Sequence, residues 1–226
     1  ALGGDPVIFV KGGHAHGGTE ASPFDADTLL AEIDSISPDL TGVAIASRFA
    51  TRNPAHEIAA RDLVRAKTGL PVTCSHELSA ALGGPKRALT AVLNARLIAM
   101  IDQLITATQT HMNNRNIDAR LMVVRGDGAV VSADIAREKP IETILSGPAA
   151  SIAGAAWLTG ARDAMVSDIG GTTTDVCLLR DGLPSIDPQG AKVGKYRTMV
   201  EAVAMRTFGL GGDSEVHLAG DLSGEL

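Results

Sequence analysis

The chain of 226 residues carries 20 Lys and Arg against 26 Asp and Glu, a formal net charge of -6 at pH 7, and 45% of its residues are hydrophobic. That length and apolar content suffice for one sizeable core or two small ones. The absence of a basic surplus and an aromatic content of only 3% argue against nucleic acid or an anionic membrane surface as principal partner.

In chain order, residues 7–10 (VIFV) are a short apolar strand candidate, and 11–18 (KGGHAHGG) are too glycine-rich for anything but loop. Asp25 or Asp27 caps a helix running to about Ile36, with Leu29, Leu30 and Ile33 on one face. A β-then-α unit follows: Val43 and Ile45 lie in an apolar run of strand length, and Pro54 suits the first turn of a helix that turns Ile58, Leu63 and Val64 inward. Gly69 closes that helix, Pro71 forbids its continuation, and 72–75 reads as the next strand. After Gly83-Gly84-Pro85 comes the longest helix signal, 86 to about 112, with Leu89, Val92, Leu93, Leu97, Ile98, Ile101, Leu104 and Ile105 at helical spacing. Residues 121–124 read as a buried-type strand and Gly126-Asp127-Gly128 as a turn, after which Ser132 and Asp134 cap a short helix ending before Pro140. Ser146-Gly147-Pro148 opens a helix of small residues, among them Ala149, Ala153 and Gly154, which lets it lie close against a sheet or a ligand. Alternating strands and helices predict α/β layering.

Cys74 and Cys177 are the only cysteines and lack CxxC or Cys/His ligand spacing, so neither a disulfide framework nor a zinc site is expected and a reducing cytoplasm fits. The longest apolar stretches, such as 151–158, fall short of the ~20 residues that span a bilayer, and no membrane segment is expected. The opening ALGGDPVIFVKGG lacks an initiator Met, a basic n-region and an apolar h-region, and the polar GDLSGEL closes no element; both read as cuts through a longer chain.

The chemistry concentrates in AMVSDIGGTTTDVCLL (164–179), where two apolar runs flank Gly170-Gly171-Thr172-Thr173-Thr174-Asp175, a loop of hairpin length. Two glycines let the backbone turn and aim N–H groups at an anion, and three threonine hydroxyls add donors. Asp168 and Asp175 stand at the shoulders, where carboxylates repel bare phosphate but hold Mg²⁺ or its waters. A GGT run alone reads equally well as a polar surface hairpin.

The full pattern D-x-G-G-T-x-T-D resembles the phosphate-binding hairpin shared by sugar kinases, actin and heat-shock chaperone ATPases. More narrowly, the chain resembles the hydantoinase A/5-oxoprolinase family through RNPAHE (52–57), AVLNA (91–95), VRGDGAVVSADIAREKPIETILSGPAAS (124–151) and SDIGGTTTDVCLLRDG (167–182). The resemblance implies a partial actin-like ATPase (ribonuclease H-like) α/β fold with a mixed sheet flanked by helices. It divides the chain into a first-lobe α/β region with its long connecting helix (1–115) and a nucleotide-binding region (116–226), both incomplete. In that family two such hairpins, one per lobe, grip ATP; only the second lies in this sequence.

By the same resemblance, Asp168 and Asp175 are catalytic and hold Mg²⁺, and Gly170, Gly171, Thr172, Thr173 and Thr174 cradle ATP phosphates. A glycine-rich element adds Gly209, Gly211, Gly212 and Ser214 to the nucleotide side, with Asp213 standing where the pattern expects glycine. The implied reaction is ATP-dependent ring opening of a small-molecule cyclic amide through a phosphorylated carbonyl oxygen. The same hairpin also serves acetone-carboxylase-like and sugar-kinase-like enzymes, or a non-catalytic nucleotide-binding scaffold. A second hydantoinase-type subunit and a homo-oligomer are both compatible with it.

Other features read more plainly. His14 and His16 form an HxH pair, but the glycines around them favour a mobile loop over a metal site. His56, His76, His111 and His217 are isolated and read as surface or satisfied structural histidines. Ser146-Gly147-Pro148 is either a plain cap or an anion-facing helix start, and Asp127 is either a ligand or an ordinary Asp-Gly turn.

Overall fold

A computed structural model describes residues 4–35, 40–215 and 217. Helix α1 (Ala26–Asp34) starts where Asp25 accepts a hydrogen bond from the Thr28 amide at 3.0 Å, and Leu29 is its buried residue. The expected end at Ile36 lies outside the described residues. Strand β1 (Val43–Ile45), helix α2 (Ala55–Thr68) and strand β2 (Val72–Cys74) make a βαβ unit, with β1 and β2 parallel and Val43 paired to Val72. As the sequence indicates, Gly69 ends α2 in the left-handed conformation at φ 69°, which a side chain would strain. Residues 7–10 do not form the expected strand: among the described residues β1 pairs with β2 alone, and Phe9 is 90% exposed. Four apolar residues make no strand without a ladder to join.

After the short helix α3 (Ser75–Leu78), helix α4 (Gly84–Asn114) runs 31 residues, about 46 Å at 1.5 Å per residue. Its length and composition would suffice to cross a membrane, yet its first half packs on β1, β2 and α3 with the Arg87 side chain buried. The fully buried residues are Arg87, Thr90, Ala91, Asn94 and Ala95 in the first half and Ile105 further on; of the apolar series, Leu93 and Leu97 pack on one core cluster, Ile101 and Ile105 belong to another, and Leu104 is exposed. Small and hydrogen-bonding side chains are the most buried in the first half because the helix lies close to strand ends that present polar groups. Asn94 illustrates it, with Nδ2 on Thr73 Oγ1 at 2.9 Å and Oδ1 taking the Ile141 amide at 3.0 Å.

Strand β3 (Met122–Val124) pairs antiparallel with β4 (Val130–Ser132) across the 126–128 turn; the strand expected to be buried is half-buried, with Val123 and Val131 packed on Ile105, Ala133 and Ala136 and Met122 exposed. Ser132 caps helix α5 (Ala133–Glu138), a 3-10 turn spans Pro140–Thr143, and helix α6 (Ser146–Thr159) follows. The chain then builds β5 (Ala164–Ile169), β6 (Thr174–Arg180), β7 (Leu183–Pro184), β8 (Lys192–Val193), β9 (Tyr196–Arg197) and β10 (Met205–Phe208). Strands β10, β6 and β5 form an antiparallel sheet with β7 beside β6. The fold is thus α/β as expected, but among the described residues parallel and antiparallel pairs occupy different sheets rather than one mixed sheet.

Candidate functional site

Strands β5 and β6 place Asp168 directly opposite Asp175, with Ile169 paired to Thr174 at the end of the ladder. The Gly170 amide donates to the Thr173 carbonyl at 2.9 Å, which leaves Gly171 and Thr172 as the tip. Side chains alternate across a strand, so Asp168 shares a face with Val166 and Ala164, and Asp175 with Cys177 and Leu179. Those apolar residues pack under α6 around Ala149 and Ile152. Helix α6 (14 residues, about 21 Å) and β5 (6 residues, about 20 Å) are matched in length and joined by the short 160–163 turn. On the neighbouring strand, Thr207 donates to Asp175 Oδ1 at 2.6 Å.

The glycine-rich segment after β10 folds onto this tip. Gly212 and Asp213 amides donate to the Gly170 and Gly171 carbonyls at 2.9 and 2.8 Å, and Thr174 Oγ1 donates to the Leu210 carbonyl at 2.6 Å. Ser214 Oγ accepts from the Gly211 amide at 3.0 Å. A Cβ at Gly211 would run into the Gly171 carbonyl, so the close approach demands glycine there. A Cβ at Gly171 would come 2.6 Å from Asp213 Oδ2, which puts the unexpected carboxylate beside the tip. Gly211→Ala should part the two segments, with an overpacking cost of about 1–3 kcal/mol visible as a lower melting temperature.

The amides of Gly170 and Gly212 and the Thr174 hydroxyl are thereby satisfied within the protein. The amides of Gly171, Thr172 and Thr173 and the hydroxyls of Thr172 and Thr173 have no partner among the described residues, and Gly170 to Thr172 are exposed. Unpaired amides suit phosphate oxygens, and two facing carboxylates suit a divalent cation, so this donor set fits Mg-bound polyphosphate. Two cavities lie elsewhere: one of about 570 Å³ by Trp157, Arg162 and Leu183, and one of about 810 Å³ among residues 5–13, α1, β1 and α4.

A second polar centre sits at the carboxyl ends of β1 and β2. Glu57, fully buried, accepts from the Ser47 amide and Ser75 Oγ (both 2.6 Å) on one oxygen, and from the His76 amide (3.0 Å) and Nδ1 (2.6 Å) on the other. Arg87, also buried, donates to Ser75 Oγ at 2.9 Å and the Ser47 carbonyl at 3.1 Å. Nearby, the 11–20 segment is pinned rather than a free loop. His14 is 2% exposed and stacks on His56 at 4.2 Å, while His56 takes the Gly13 amide on Nδ1 at 2.9 Å and meets Glu20 at 2.8 Å through Nε2.

Burial, followed by the neighbouring His56, holds the His14 pKa below its ordinary 6.5. Above pH 6.5 both folded and unfolded chains carry it neutral, so it adds no pH dependence; below 6.5 the unfolded chain takes the proton first and stability falls. A melting-temperature series from pH 7.5 down to 5 should show that decline, and His14→Phe should flatten it.

A family model described as hydantoinase/oxoprolinase matches residues 87–224. The chain belongs to the hydantoinase/oxoprolinase family. It is 28% identical over 206 residues to the caprolactamase subunit alpha of Pseudomonas jessenii, covering 89% of this chain and 30% of that protein. It is 29% identical over 215 residues to the acetone carboxylase beta subunit of Xanthobacter autotrophicus, covering 89% and 29%. Among solved structures, the ATP-dependent caprolactamase of P. jessenii superposes with a TM-score of 0.79 at 27% identity, covering 93% and 31% of the two chains. The nucleotide-free structure of acetone carboxylase, an enzyme of ATP-dependent acetone carboxylation, gives 0.73 at 26% identity, covering 89% and 29%. The chain thus spans under a third of the length of these relatives.

Within this hydantoinase/oxoprolinase chain, Asp168, Asp175, the hairpin loop and the 209–214 segment come together in space. Asp127 instead closes its own turn, bonded to Arg125 at 2.8 Å and the Ala129 amide at 2.9 Å, and Ser146 makes no side-chain cap. The Glu57 centre was not singled out by the sequence beyond RNPAHE, although a Glu within a helix facing a later Ser-His pair was its one signal.

Proposed function

We propose that this chain is the phosphate-binding part of an ATP-dependent enzyme that activates the carbonyl oxygen of a cyclic amide for ring opening. The observation that carries the reading is the hairpin tip, where the unpaired Gly171–Thr173 amides stand beside the facing Asp168 and Asp175 carboxylates. The tip amides and the Thr172 and Thr173 hydroxyls hold phosphate oxygens, while Asp168 and Asp175 hold Mg²⁺ or its waters; the ion, when bound, screens phosphate charge in the transfer. Gly209, Gly211, Gly212 and Ser214 back the tip from the nucleotide side. The kinship with an ATP-dependent caprolactamase supports the cyclic amide, and the kinship with acetone and acetophenone carboxylase subunits supports a carbonyl substrate more broadly.

In this reading the fold is the actin-like ATPase type, with 1–115 belonging to the first lobe and 116–226 to the second, within a longer cytoplasmic protein. The subunit names of the relatives support a partner subunit. Carboxylation of a ketone is the second reading, favoured by the carboxylase relatives. Incubating the full-length protein with Mg-ATP and caprolactam, hydantoin, 5-oxoproline or acetone with bicarbonate tests both. Release of the ring-opened acid with ADP (an amino acid from caprolactam or 5-oxoproline, an N-carbamoyl amino acid from hydantoin) supports the first reading, an acetoacetate product the second, and no substrate-dependent ADP release with any of them overturns the proposal.

A further inference from the structure

The Glu57 centre has an arrangement of protons that fixes one tautomer. Backbone amides only donate, so the Ser47 and His76 amides require acceptors on both Glu57 oxygens. Ser75 Oγ accepts from Arg87 Nε, and its own proton goes to Glu57 Oε1. A carboxylate with two oxygens has about four acceptor positions. Three are filled by donors, and with Glu57 ionised the fourth partner, His76 Nδ1 at 2.6 Å, donates as well. Neutral His76 is therefore protonated on Nδ1 and carries a lone pair on Nε2, which has no partner among the described residues; its side chain keeps 18% of its surface open.

We infer that His76, oriented by the buried Glu57, accepts a proton from the substrate at the carboxyl ends of β1 and β2. Open α/β sheets bind ligands at those ends of their parallel strands. Continuity with the hairpin comes through packing: Leu78, two residues after His76, lies in one apolar cluster with Leu145, and Leu145 also packs on the cluster beneath the hairpin. The inference rests on the functional reading above. As a cyclic amide oxygen bonds to the γ-phosphorus of ATP, the bond from that phosphorus to the bridging oxygen breaks and its electron pair leaves with ADP. The amide N–H proton passes to His76 Nε2 and the ring becomes an O-phosphorylated imidate.

The same neighbourhood places Cys74 within reach of Glu57 and His76 as a trio of metal-type ligands. Burial, with Glu77 and Glu57 nearby, pushes the Cys74 thiol up to about 12, and its Sγ donates to the Glu57 carbonyl at 3.4 Å. A protonated thiol and a carboxylate with no free acceptor position describe a hydrogen-bonded dyad. Other charged groups around this centre are Glu77 and Asp62, both paired with Arg61 (3.2 and 3.0 Å), Arg65 and the buried Arg87.

The test uses the full-length protein with its partner subunit, where lactam-dependent ADP release is followed over a range of lactam concentrations. His76→Asn keeps a donor toward Glu57 and removes the base. It should lower kcat by about 100-fold, with the lactam KM, Mg-ADP affinity and melting temperature unchanged. Added imidazole should restore turnover to His76→Ala. Full activity in His76→Asn overturns the inference, as does a loss of activity that tracks a lower melting temperature and is not rescued by imidazole. Failure of the wild-type protein to release ADP with any lactam would sink the functional reading itself, a separate outcome visible before any variant is made.

Discussion

Asp168→Asn in the full-length protein should lower Mg-ATP hydrolysis by about 100-fold, the upper range for losing a group that holds a metal or its bound water. The substitution keeps size and shape at a position paired across the ladder with Asp175. The side chain belongs to the same face as Val166, at the edge of the cluster under α6, so the variant should fold and keep its melting temperature. Removing one negative charge beside a second carboxylate relieves repulsion, which makes a loss of stability still less expected. Steady-state hydrolysis at varied Mg²⁺ is the decisive measurement: a raised Mg²⁺ requirement supports the metal role, and unchanged hydrolysis rules it out.

Glu57→Ala should cost about 3–5 kcal/mol, because it strands partners that the fold has buried around a charge. The Arg87 guanidinium is 1% exposed and reaches Glu57 through Ser75; without the carboxylate its positive charge is left with only neutral oxygens. The Ser47 and His76 amides lose their acceptors at the same time. In a chain of this size the melting temperature should fall by roughly 10 °C. Glu57→Gln, which keeps one acceptor oxygen, should fall by less, and thermal denaturation of both variants beside the parent separates lost charge from lost bonds.

What could be read from the sequence was what is encoded locally. Asp25, Gly69, Ser132 and the hairpin 164–180 depend on neighbours a few residues away, and each is placed as its pattern implies. The meeting of the hairpin with the 209–214 segment was legible only through kinship, since the bonds between them join residues about forty positions apart. The Glu57 centre was not legible: Ser47, Glu57, Ser75 and Arg87 lie on four different elements or loops, and none is unusual in its own segment. Helix α4 was legible in part: periodicity found its extent and the packed Leu93, Leu97, Ile101 and Ile105, but not the polar Arg87, Thr90 and Asn94 that are buried against β2 and the loops around it. The 11–18 loop looked free because its anchors, His56 and Asn53, come some forty residues later.

The interlock of Gly211 beneath the Gly171 carbonyl makes one solid jaw of two loops from different parts of the chain. The backbone bonds between them tie the movement of either loop to that of the other. On the proposed reading, a polyphosphate would meet both loops as one surface.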